Sequence, residues 1–125
     1  MKYSKLFFLK FMAKQLLKIL SILYLICLTI VLLIPVDTFL VTQIVEVENQ
    51  PSNNTSYFIH FALFFILYFI LYFAFLNQYK IFIFCTIYAI LIEILQIFNS
   101  RGFQIYDIIF NIIGVTISFI FLNLL

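Results

Sequence analysis

Four apolar stretches, residues 16–34, 57–76, 81–98 and 106–125, dominate this 125-residue chain. Each has about the 17–25 residues that a helix needs to cross the hydrocarbon of a bilayer. With 10% charged residues and a mean hydropathy of +1.23, the chain lacks the charge to cover a soluble surface of this size. The breaks fall at 35–56, 77–80 and 99–105, and two Gly and two Pro are too few for an interdomain linker. The expectation is an all-α polytopic membrane protein, with four transmembrane helices in one compact bundle.

Charge sets an expected orientation. Five of the seven basic residues, Lys2, Lys5, Lys10, Lys14 and Lys18, precede or open the first span, and Lys80 lies in the turn between spans two and three. The loop after span one carries Asp37, Glu46 and Glu48 and no Lys or Arg. The positive-inside rule then puts both termini and the Lys80 turn in the cytoplasm, and the 35–56 and 99–105 turns outside. Arg101 is the one basic residue on the outer side. Residues 1–15, with lysines among Leu6, Phe7, Phe8 and Phe11, read as a basic amphipathic segment suited to an anionic membrane surface, and 16–125 as the membrane domain. No small-x-small site follows Leu33-Ile34-Pro35, so the first span reads as a retained helix and not a signal peptide. The sequons at Asn53 and Asn54 would matter only in a eukaryotic cell. Abundant Ile, Phe, Asn and Lys suit an AT-rich bacterial genome, which makes the expected location a bacterial plasma membrane.

Polar residues concentrate where such a protein can least accommodate them. Span three carries Glu93 and Gln96 near its outer end, three apart and on one face. Span four begins with Asp107, Asn111, Gly114 and Ser118 in one stripe. His60 lies near the outer end of span two, and Arg101 in the outer turn. Alternating helix direction brings all of them to one depth. An acidic side chain in hydrocarbon costs roughly 3 kcal/mol on insertion scales, so these groups should face the bundle interior and find partners. Gly114 and Ser118 form a small-xxx-small pair that lets another helix approach closely. Cys27 and Cys85 sit at different depths without metal-ligand spacing, so the reading places no disulfide, metal or cofactor here. No nucleic-acid signal accompanies the lysines.

His60-Phe61 with Phe64, Glu93-x-x-Gln96, Arg101 and Asp107-x-x-x-Asn111-x-x-Gly114 together resemble the signature of the VanZ-like family of bacterial membrane proteins. The resemblance covers about half the chain, from Ser56 to Ser118. Two positions depart from the pattern. Ser56 and Tyr57 stand where the family usually has Asp-Lys before its His, and Ser118 stands where a second glycine is expected. The founding member is linked to low-level teicoplanin resistance, so the resemblance implies a cell-envelope role without naming a reaction.

Three functional readings follow. In the first, His60, Glu93, Gln96, Arg101, Asp107 and Asn111 form an outer-leaflet site for a polar headgroup. Candidate ligands are a lipid-linked cell-wall precursor or a glycopeptide antibiotic, with the Arg101 fork binding the anion. In the second, the same groups only lock the bundle of an accessory subunit that packs on a membrane partner or on a second copy. In the third, an intramembrane enzyme acts on a lipid carrier. The absence of an activated nucleophile pair, a metal cluster or a phosphate loop disfavours catalysis. The bilayer is the partner common to all three.

Overall fold

The computed structural model describes residues 1–34, 53–99 and 103–125. Four helices account for nearly all of them: α1 (Lys2–Leu33), α2 (Asn53–Phe75), α3 (Gln78–Phe98) and α4 (Ile105–Leu124). All four are long and apolar enough to cross a membrane. Helices satisfy their own backbone polar groups, which is what hydrocarbon demands of a spanning segment. The chain is thus an all-α, multi-pass membrane protein.

The boundaries have local causes. α1 stops at Ile34, which takes extended geometry (φ −68°, ψ 123°) ahead of a proline that disfavours a helical predecessor. α2 ends on Leu76, whose φ of 57° is left-handed, and the Leu76 amide donates to the Tyr72 carbonyl at 2.7 Å. Asn77 then caps α3, its side-chain oxygen accepting from the Lys80 amide at 3.3 Å. Leucine is a poor choice for a left-handed position that glycine normally fills, and the strain costs about 1 kcal/mol or more. Leu76→Gly should therefore raise the thermal unfolding temperature, read by scanning the purified protein in detergent. A drop would show that Leu76 packing outweighs its backbone strain.

Two boundaries differ from the expectation. α2 begins at Asn53, so the sequons lie in its first turn and not in a loop. α1 is one unbroken helix, about 48 Å long at 1.5 Å per residue, and makes no turn near residue 16. Neither Gly nor Pro interrupts Lys2–Leu33. Residues 3–16 are all exposed, and α1 first buries a side chain at Ser21.

Strict alternation makes α2 and α4 parallel to each other and antiparallel to α1 and α3. α2 and α4 form the most extensive interface; α1 packs on α2 and α3, and α3 touches the other three. Leu28 and Leu32 of α1, Phe64 and Leu67 of α2, Ile92 of α3 and Val115 of α4 meet in the core. α2, α3 and α4 each bury only 33% of a spanning window, and many of their other Ile, Leu and Phe side chains are exposed. Lipid is as apolar as those side chains, so close packing and interhelical hydrogen bonds hold the bundle.

The α2–α4 contact illustrates this. A Cβ added at Gly114 would lie 2.4 Å from the Phe61 carbonyl oxygen and 3.2 Å from the Phe65 backbone nitrogen. One turn on, the Ser118 hydroxyl donates to the Phe65 carbonyl at 3.0 Å. The small pair on α4 thus meets the Phe61–Phe65 backbone of α2 in register.

Candidate functional site

Seven polar side chains are buried among the described residues: Ser21, His60, Glu93, Gln96, Asp107, Asn111 and Ser118. Four of them form one cluster at the end of the bundle opposite Lys80. His60 arrives from the second turn of α2, Glu93 from the last turns of α3, and Asp107 and Asn111 from the first two turns of α4. Asp107 and Asn111 share a face because they are four apart. Asp107 also sits in the first turn of α4, where the helix dipole favours a negative charge.

His60 is the hub. Its Nδ1 lies 3.1 Å from Asn111 Oδ1, and its Nε2 lies 3.4 Å from Asp107 Oδ2. The two ring nitrogens thus face different partners, Nδ1 the Asn111 amide and Nε2 the Asp107 carboxylate. One potential ligand atom from each of His60, Glu93 and Asp107 lies within 4.8 Å of the others. Such a trio is close enough for one small ligand group, or a cation, to touch all three. Burial is nearly complete: Glu93 and Asn111 expose 0% of their surface, His60 2% and Asp107 6%.

Gln96 goes elsewhere. It is buried on the same face as Glu93, but its amide donates to the Leu32 carbonyl of α1 at 2.9 Å. Asn99 donates likewise to the Leu33 carbonyl at 3.1 Å. A helix leaves its last carbonyls without intrahelical donors, and two α3 amides cap the end of α1. Gln96→Leu should cost about 1 kcal/mol of bundle stability, the usual scale of an interhelical hydrogen bond in a membrane. Thermal unfolding of the purified variant checks it. Arg101 lies outside the described residues.

Tyr57, where the resemblance leads one to expect a lysine, packs between helices. Its ring stacks on Phe110 with centroids 5.0 Å apart and planes 2° from parallel, and tilts against Tyr106 at 5.9 Å. An aromatic clamp across α2 and α4 thus takes the place of a cation beside the cluster.

Other polar contacts escaped the sequence reading. The Tyr24 hydroxyl donates to the Leu63 carbonyl at 2.9 Å, and Tyr88 shares a 2.8 Å hydroxyl bond with Thr29. Tyr68 donates to the Gln78 carbonyl at 3.3 Å. These bonds give deep tyrosines a packing role. Their only sequence signal is a hydroxyl-bearing residue far from either interface, which points to a partner but does not name it.

A four-helix membrane bundle with an ionisable cluster buried at one end is the class that fold and geometry define. A family model described as VanZ/LLP1 matches residues 20–125, and the chain belongs to that family. Comparison with curated proteins yields no match, and neither does comparison with solved structures.

Proposed function

We propose that the protein is a bacterial plasma-membrane component whose cluster of His60, Glu93, Asp107 and Asn111 faces the extracytoplasmic side. With Arg101 from the adjoining turn, it engages the polar headgroup of a cell-envelope lipid, or a glycopeptide antibiotic inserting beside one, and contributes low-level teicoplanin resistance. The observation that carries the reading is the meeting of three ionisable side chains from three helices within 4.8 Å of one another. Ionisable groups buried in a membrane are expensive, and they mark functional sites by default. Arg101 suits the anionic part of such a headgroup through its planar fork. Gln96 serves the α1 cap, so the ligand-facing set is smaller than the sequence pattern implied.

Full burial of Glu93 and Asn111 favours a second reading, in which the cluster locks the helices of an accessory subunit. Susceptibility separates the two. Cells expressing the wild type at matched membrane abundance should tolerate more teicoplanin than cells expressing Glu93→Gln or Arg101→Gln. Equal tolerance in wild type, variants and empty vector rejects the headgroup reading. If the variants instead fail to accumulate, the lock is favoured.

The orientation is tested separately. In a Cys27→Ser/Cys85→Ala background, single cysteines at Thr42, Gln78 and Gly102 should be labelled by an impermeant reagent from outside, inside and outside. The reverse pattern would put the cluster on the cytoplasmic side.

A further inference from the structure

The opposite end of the bundle holds a cavity of about 480 Å³ between α1, α2 and α3. It falls in the volume range of small-molecule sites, roughly 300–1,000 Å³. Its walls are apolar: Leu25 from α1, Leu71 and Phe75 from α2, Ile81 and Phe84 from α3. Ile22, Phe75 and Phe84, which also line it, are exposed on the lipid-facing surface at 54%, 48% and 45%, so the cavity opens sideways into the bilayer.

Positive charge gathers at one side of it. Lys80 lines the cavity with Asn77. Lys18 lies one turn before Ser21 on α1, and its ammonium sits 5.8 Å above the Phe75 ring, another lining residue. Two lysines from different helices therefore converge where an apolar slot meets the first turn of α3. No acidic side chain lines the cavity. The Ser21 hydroxyl is already committed to the Lys18 carbonyl at 2.7 Å, which leaves the lysines as the principal polar groups of the site.

We infer that this cavity is a binding site for an acidic glycerophospholipid, with an acyl chain along Leu25, Leu71 and Phe84 and the phosphate held by Lys18 and Lys80. The lateral opening admits a chain directly from the leaflet. Basic pockets between transmembrane helices recognise anionic headgroups through such charge, and long lysine side chains extend to the interface to reach them. A neutral lipid could fill the slot but would leave the two ammonium groups without a counter-charge. The site is independent of the His60 cluster at the other end.

Native mass spectrometry of the full chain in detergent, with equal phosphatidylglycerol and phosphatidylcholine added, tests it. The wild type should retain one phosphatidylglycerol in preference to phosphatidylcholine. Lys18→Gln/Lys80→Gln should bring the two lipids close to parity, about a fivefold loss of preference for each lysine. Lys5→Gln/Lys10→Gln, which removes as much charge from the exposed part of α1, should leave the preference intact. Leu25→Trp, which fills the slot, should abolish retention of both lipids. Thermal unfolding in the same detergent confirms that each variant is folded, and the contrast between the two lysine pairs suffices if Leu25→Trp is not. Equal retention of both lipids by the wild type would overturn the inference. So would an equal loss of preference in the two lysine pairs, or undiminished retention by folded Leu25→Trp.

Discussion

Gly114→Leu should leave no folded protein in the membrane, and Gly114→Ala should survive only in a weakened form. The Cβ at this position meets backbone, with the Phe61 carbonyl oxygen at 2.4 Å, so no side-chain rotation can relieve the contact. α2 and α4 must separate, and they form the largest interface of the bundle. Ordinary overpacking costs about 1–3 kcal/mol, and a clash against a helix backbone belongs at or above the top of that range. Separation would also break the Ser118 bond to Phe65 and pull His60 away from Asn111, because all three contacts share one α2–α4 register. Membrane abundance and thermal unfolding of the two variants check this. A Gly114→Leu protein as stable as the wild type would mean that the helices do not approach at this point.

The second large effect concerns the hub of the cluster. Asp107→Ala leaves His60 facing an emptied position inside the bundle, and His60→Ala withdraws a partner from both Asp107 and Asn111. Taking away one partner of a buried polar contact typically costs about 1–3 kcal/mol. The double substitution should cost less than the sum of the two singles, with a coupling of about 1–3 kcal/mol. Unfolding free energies for the four proteins, measured in one detergent, give that coupling directly. Additive losses would show that the 3.4 Å contact carries no energy.

The gross architecture was legible because each span is a continuous apolar run bounded by polar breaks, and no other solvent accommodates such runs. The depth of the cluster was legible too. His60 and Asp107 lie near the starts of α2 and α4 and Glu93 near the end of α3, and alternation of direction brings them to one end of the bundle. Lateral neighbours were not legible. Glu93 and Gln96 are three apart on one face, yet the rise between them, about 4.5 Å, brings Gln96 level with the end of α1. Only the packing of α1 against α3 shows that Leu32 waits there with a carbonyl to cap. The tyrosines failed for the same reason, since the Tyr24, Tyr68 and Tyr88 bonds all cross between helices. The straight run of α1 was in the sequence, in its lack of a helix breaker.

The chain contains one histidine, and that makes the central claim directly measurable. Isotopically labelled histidine, incorporated into protein purified with a histidine-free tag and returned to a bilayer, gives a magnetic-resonance spectrum of His60 alone. The expected result is that Asn111→Leu shifts mainly Nδ1 and Asp107→Asn mainly Nε2. Teicoplanin or a lipid-linked cell-wall precursor should then perturb the wild-type ring again. Ring signals indifferent to both substitutions would contradict the assembly of the cluster. Signals that follow the substitutions but ignore both ligands would leave the bundle intact and remove the headgroup function.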